Sequence, residues 1–217
     1  MQSLFSAEAV PGVTPKQLGL DIAERTFIVA LFGHFAYAAL SHYVETAEII
    51  SILMVAAETL PVVFIMTRAP SNAMSEHPMD WLLGILGTTM PLLVLPASTA
   101  HAVLPQQVCV LVVVTGIYVQ VSAKLILGRS FGVVAANRGV RSAGPYRIVR
   151  HPMYAGYTLT HIGVFLAMPG TRTALFYGGT LVLQILRILR EERILMRDAA
   201  YRDLAAKVRY RLLPGIY

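Results

Sequence analysis

The sequence predicts an all-α protein, a polytopic helical bundle built into a membrane, and three observations predict it. The 217 residues are 56% hydrophobic and only 14% charged, and the mean hydropathy of +0.62 lies far to the apolar side of ordinary globular usage. Six apolar stretches approach or exceed the roughly 20 residues that a spanning helix needs. These stretches are continuous rather than alternating, which excludes a membrane β-barrel and leaves helices to satisfy every backbone group inside a bilayer.

The six expected spans run from Ile22 to Leu40, Val44 to Met66, Trp81 to Ala100, Leu104 to Leu127, Met153 to Met168 and Thr173 to Leu189. The fifth is short and the sixth carries a charged tail. Connections at Ser41 to Tyr43, Thr67 to Asp80 and Ser98 to Val103 join the first four, and none bears a dense functional pattern. Residues 1–127 therefore read as a cytoplasmic lead-in and a four-helix scaffold. The first twenty residues hold Glu8, Pro11, Pro15 and Lys16 without an apolar core, so no secretory signal is expected there.

A net charge of +6 invites a nucleic-acid partner, and its distribution argues against one. With six spans, 17 of the 18 basic residues fall on one face and only Arg172, in the turn between spans five and six, falls on the other. The positive-inside rule then places both termini in the cytoplasm, and five spans would break the segregation. The single cysteine, Cys109, lies mid-span, so neither a disulfide nor a thiolate metal cluster is possible and a packing role is expected.

Composition changes at Gly128, and residues 128–217 read as a second, cofactor-binding region. A polar segment from Gly128 to Arg150 carries five arginines and four glycines. Long loops inside a compact bundle are usually functional or disordered, and the functional reading is preferred. His151-Pro152 then opens span five, because proline is best tolerated at the first helical position. The free N–H groups of that terminus make a place for an anion, reinforced by Arg147 and Arg150, although arginines there also set topology or grip lipid headgroups. Gly156 and Gly163 share a helical stripe that admits a close neighbour, with helix packing the expected use of Gly163.

Span six ends in Arg187-Ile-Leu-Arg-Glu191-Glu192. Arg187 and Glu191 lie one turn apart, either as an ordinary ion pair worth about 0.2–0.5 kcal/mol or as a site for a zwitterionic or sulfonium ligand. Residues Glu192 to Tyr217 alternate apolar and basic side chains, which predicts an amphipathic surface helix. Pro214-Gly215 stops it, and the apolar residues at the end either fold back as a lid or stay solvated.

The order Gly-Pro-Tyr, Arg-His-Pro-x-Tyr-x-Gly, a helical hairpin, Arg-x-x-x-Glu-Glu and a closing Pro-Gly resembles the isoprenylcysteine carboxyl methyltransferase superfamily. Its wider circle includes phospholipid N-methyltransferases and thiol methyltransferases, and the resemblance covers about Gly128 to Tyr217. It implies S-adenosylmethionine bound at the cytoplasmic end of the last two spans, with a lipophilic acceptor entering sideways from the surrounding membrane lipids. Matched motif by motif, Tyr146, His151 and Glu191 are expected to contact the cofactor, with Tyr154 in the same motif. Arg138, Gly139, Val140 and Arg141 are expected to wrap it, and Leu159, Thr160, His161 and Ile162 to line its pocket. Arg187 matches an arginine near the acceptor and, with Arg150 and Glu192, makes the expected catalytic group. No second histidine stands at metal-binding spacing from His161, so no metal is expected.

Methyl transfer from a sulfonium is an in-line displacement, in which orientation alone contributes about 7–11 kcal/mol. A carboxylate or thiolate acceptor needs no strong base, whereas an amine needs one, for which Glu192 and His151 are the candidates. The acceptor stays open among an isoprenylcysteine-type carboxylate, a lipid amine and a thiol. Two other readings compete. The closing Tyr210-Arg-Leu-Leu-Pro-Gly-Ile-Tyr217 resembles the end of NADPH-dependent sterol-type membrane reductases, although their Arg-His-x-Asn-Tyr is Arg150-His-Pro-Met-Tyr154 here. A small transporter or nonenzymatic membrane protein is suggested by Glu58 with Pro61 in span two and by Glu45 and Glu48 near its start; the absence of an internal repeat speaks against it.

Overall fold

The computed structural model describes residues 14–67, 77–97, 101–127 and 140–216. Among them it shows seven α-helices and no strand: α1 (Pro15–Thr46), α2 (Ile49–Thr67), α3 (Pro78–Leu92), α4 (Gln106–Leu127), α5 (Pro152–Ala167), α6 (Thr171–Leu195) and α7 (Ala199–Lys207). A single 3-10 turn, Gly144–Arg147, precedes α5.

Helix α1 begins on a capping box: the Gln17 N–H donates to Thr14 Oγ1 at 3.3 Å and the Thr14 N–H to Gln17 Oε1 at 2.9 Å. It runs straight through Ser41 to Tyr43, where a connection was expected. The chain reverses instead at Ala47, whose φ of 56° is left-handed and whose N–H closes on Tyr43 O at 2.7 Å. Helix α2 accordingly starts at Ile49, where the second span was expected from Val44. Helix α3 is also shorter than expected, ending at Leu92 instead of reaching Ala100. Pro91 in its last turn supplies no N–H to the helical ladder, and the chain leaves through tight bonds from Leu93 to Met90 O and from Val94 to Pro91 O. Span four starts at Gln106, just after Pro105.

Contacts at the helix ends show which helices run antiparallel. Arg25 at the start of α1 donates to Met66 O at the end of α2. Asp80 at the start of α3 pairs with Arg190 near the end of α6 at 2.7 Å, while Arg172 at the start of α6 donates to Leu93 O beyond the end of α3. Val103, just before α4, donates to Leu166 O at the end of α5. The C-terminal ends of α2, α4 and α6 thus share one layer with the N-terminal ends of α1, α3 and α5.

Helices α4 and α5 are the most closely packed pair, because small residues face each other. A Cβ on Gly156 would stand 2.5 Å from the Gln120 nitrogen and 2.8 Å from Gly116 O, and one on Gly163 would stand 2.8 Å from the Val113 nitrogen. The expected close approach along this stripe is therefore made by the α4 backbone. Away from the motif end, Phe32, Phe35, Met54, Cys109, Val113, Val164 and Met168 form the main apolar core. Cys109 is fully buried there, as its packing role requires.

Among the described residues two helices, α1 and α4, are long and apolar enough to cross a membrane, and Ile49–Thr59 is a shorter apolar stretch. In the most apolar windows of α1 and α4 only 22% and 28% of the residues are buried, so their apolar faces point outward. Ile22, Val29, Leu111, Leu125, Leu175 and Val182 are among the exposed apolar side chains. A surface of this kind suits lipid rather than water.

The C-terminal segment is not one amphipathic helix. Helix α6 continues through Glu192 to Leu195, and Arg202 then covers its end by donating to Met196 O and Arg197 O, both at 3.1 Å. Asp198 caps the separate α7 through the Ala200 N–H at 2.9 Å. From Val208 onward the chain is not helical and folds back over the start of α5. There the Arg150 N–H donates to Tyr210 O at 2.9 Å and the His151 N–H to Arg211 O at 2.8 Å.

Candidate functional site

The site forms where the two motifs meet, at the first turn of α5 and the last turns of α6. Pro152 opens α5, and no side chain caps the helix, which leaves the N–H groups of its first turn available. Tyr154 lies two residues further, fully buried, and its hydroxyl donates a short hydrogen bond to Glu191 Oε1 on α6. The Arg187 guanidinium lies over the Tyr154 ring, 5.3 Å from its centroid, a cation–π contact. Gly87 on α3 makes the room for it, since a Cβ there would stand 3.1 Å from Arg187 Cδ. The i, i+4 spacing of Arg187 and Glu191 thus presents both to one tyrosine. Glu191 keeps 22% of its side chain exposed, enough to face a ligand.

Glu192 turns the other way, into a buried ionic hub. Arg150 Nε stands 3.0 Å from its Oε1 and Arg211 Nε 2.6 Å from its Oε2, while His151 Nε2 is 3.4 Å and the Tyr201 hydroxyl 3.3 Å from Oε1. Burial alone would raise the Glu192 carboxyl. Hydrogen bonds from His151 and Arg211, with the charges of His151 and Arg150, outweigh it and bring the pKa down to about 2. A carboxylate held so low is a weak base at neutral pH, and the geometry makes it the clasp that ties motif, α7 and tail together. Burial, with Glu192 beside it, pushes the Tyr201 phenol up. Burial, with Glu191 nearby, does the same to Tyr146 in the 3-10 turn.

The remaining expected site residues separate. Arg138 and Gly139 lie outside the described residues. Val140 packs on Tyr201, Leu204 and Val208, and Arg141 is exposed. Of the four α5 residues expected to line one pocket, Leu159 and Ile162 line an apolar cavity of about 250 Å³ on another face of the helix, closed by Leu212, Leu213 and Pro214 of the tail. Thr160 packs against Gly116 of α4. His161 points into the bundle, stacked on Tyr177 with ring centroids 4.3 Å apart and facing Glu58 at 3.5 Å. A helix turns 100° per residue, so four consecutive residues cannot share a wall.

Arg211, Tyr201 and Tyr157 complete the surroundings; from the sequence Tyr157 is expected to pack, and Tyr201 to lie on the apolar side of the C-terminal segment. Tyr157 packs edge-on to Tyr154 and receives the Lys124 ammonium over its ring at 4.7 Å. Tyr154, Tyr157 and His161 lie along one stripe of α5. No group of three or more metal-ligating side chains occurs among the described residues.

These observations define an all-helical protein with lipid-suited faces and a buried charged centre at one end of its last two long helices. Residues 98–202 match the model of the phospholipid methyltransferase family. That family sits in the superfamily of membrane methyltransferases that the motifs resemble, and the match takes in α4, α5 and α6. The match gives the reductase reading no support. No curated protein matches the chain.

Proposed function

We propose that this protein is a multi-pass membrane methyltransferase that uses S-adenosylmethionine and acts on a lipophilic acceptor at the cytoplasmic face. The observation that carries this reading is the junction of Tyr154, Arg187 and Glu191, assembled from both motifs and walled by the returning tail. In this reading the chain crosses the membrane six times with both termini cytoplasmic, because that arrangement alone gathers the basic residues on one side.

The residues suit the cofactor's chemistry. Glu191 offers a partly exposed carboxylate to a sulfonium cation, while the uncapped N–H groups of α5 suit a carboxylate. When bound, S-adenosylmethionine supplies an electrophilic methyl group. Tyr154 holds Glu191 in place, Arg187 lies beside both for an acceptor approaching from the bilayer, and the Glu192 hub keeps the tail down to exclude water. The test is incubation of the purified protein with radiolabelled methyl donor and fractionated lipids, peptides and small thiols. Label is expected in a lipophilic fraction, and a protein that labels none of them under conditions where it stays folded refutes the reading.

A further inference from the structure

The apolar cavity of about 250 Å³ beside α5 is a space that the Tyr154 junction does not use. One wall is a stripe of α5, Ala155, Leu159 and Ile162, at positions i, i+4 and i+7, which makes a slot about 10 Å long running down the helix from its N-terminal end. Ile148 of the turn before α5 and Leu212 and Leu213 of the tail line it as well. Ile148 is 60% exposed and Ile162 48%, so apolar side chains reach the surface at both ends of the slot. Its one polar lining side chain, Thr158, has its hydroxyl engaged inside the bundle, 3.0 Å from Tyr154 O and 3.2 Å from Gln184 Oε1. A headgroup inside would find no partner, whereas a hydrocarbon chain needs none.

Charge says which lipid supplies that chain. The two segments that meet at the motif end of the slot, 140–152 and 207–216, hold Arg141, Arg147, Arg150, Lys207, Arg209 and Arg211 and no acidic residue. Arg150 and Arg211 are engaged by Glu192, and the other four are exposed. Exposed basic residues beside a bilayer surface select anionic headgroups. Leu212 then ties the slot to the site: it is buried with the cavity on one side and Tyr154 and Ile188 on the other. A methyl acceptor has to reach the Tyr154 junction, and Leu212 stands between. A chain in the slot instead backs the residue that packs on Tyr154.

We propose that this slot binds one acyl chain of an anionic phospholipid that is not itself methylated, and that the bound lipid holds the tail against the start of α5. This rests on the membrane part of the reading above and not on methyl transfer. The chain fills the space beside Leu212 and Leu213, while the phosphate meets exposed basic residues of both segments, so one ligand ties turn and tail together. The tail also carries Arg211 of the Glu192 hub. Anionic lipid therefore favours the form in which the hub is closed, as any ligand favours the state that binds it.

The experiment places the full-length protein in nanodiscs of phosphatidylcholine and phosphatidylethanolamine, with or without phosphatidylglycerol, all carrying the same two chains. Hydrogen exchange is read at Arg150 and His151, whose N–H groups bond to the tail, and native mass spectrometry reads which lipid stays on the protein in detergent. A single retained phosphatidylglycerol is expected, with exchange at the two amides slowed about 10-fold or more when that lipid is present. Leu159→Trp fills the slot from its wall and Ile162→Trp blocks its exposed end; both are expected to lose the retained lipid and to exchange alike in the two nanodiscs. Arg147→Gln combined with Arg209→Gln is expected to remove the preference for phosphatidylglycerol. Retention undiminished in both tryptophan variants, no preference for phosphatidylglycerol in wild type, or exchange indifferent to it would overturn the proposal. Preferential retention of phosphatidylethanolamine would overturn it too, by making the slot an acceptor's. A protein that stays outside the nanodiscs removes the membrane reading and this proposal together. One that inserts but binds no S-adenosylhomocysteine removes the methyltransferase reading alone, and the retained lipid and the exchange still decide the proposal.

Discussion

The Tyr154 hydroxyl donates to the Glu191 carboxylate across the interface of α5 and α6, joining residues 37 positions apart and thereby the two motifs. The bond aims Glu191, and the same ring supports Arg187. A hydrogen bond to a charged group contributes about 1.5–3 kcal/mol. Tyr154→Phe keeps the ring and loses the bond. Calorimetry is expected to show S-adenosylhomocysteine affinity falling by about 10-fold or more, with little change in the secondary structure.

Arg187 and Glu191 are expected to separate in kinetics although they lie on one helical face. Glu191→Gln removes the charge opposite the sulfonium and weakens cofactor binding. Arg187→Ala is expected to lower kcat by about 10-fold or more while changing cofactor affinity by less than about threefold. Measured side by side, equal losses of affinity in the two variants would contradict the division of roles.

Packing of α5 on α4 makes its own prediction. Gly156→Ala forces a methyl group onto the Gln120 backbone, and overpacking of this kind costs about 1–3 kcal/mol. Gly178 on α6 has open space around it. Thermal unfolding is expected to show a clearly lower Tm for Gly156→Ala and no loss for Gly178→Ala, which also gains helix propensity.

The Glu192 hub predicts acid sensitivity. Its folded pKa of about 2 lies below the ordinary 4.5, so its contribution is present above about pH 4.5 and is lost as pH falls toward 2. The shift corresponds to stabilisation on the order of 3 kcal/mol. Wild type is expected to lose Tm between about pH 5 and 3, whereas Glu192→Gln starts lower at neutral pH and changes less across that window.

The sequence carried the chemistry of the site better than its architecture. The spacing of Arg187 and Glu191 put both on one face, and Tyr154 belonged to a recognisable motif, so the junction was legible. The return of the tail was open in the sequence, since Pro214-Gly215 marked only a stop; hydrogen bonds from the Arg150 and His151 N–H groups to Tyr210 and Arg211 fold it back over the start of α5. Arg211 and Tyr201 gave no sign of meeting Glu192, because their contacts depend on how α7 turns after Asp198. Hydropathy could not see the left-handed Ala47 or the early end of α3 at Pro91, where local backbone geometry overrides an apolar run. Glu58 stood out only as a charge in a span until His161 was found opposite it.

The most direct measurement of the central claim is calorimetric titration of the purified protein with S-adenosylhomocysteine, wild type beside Glu191→Gln, with NADPH as the comparison ligand. Saturable one-site binding by the wild type, weakened by about 10-fold or more in the variant and absent for NADPH, is the predicted result. Equal binding by wild type and Glu191→Gln, or heat only with NADPH, would contradict it.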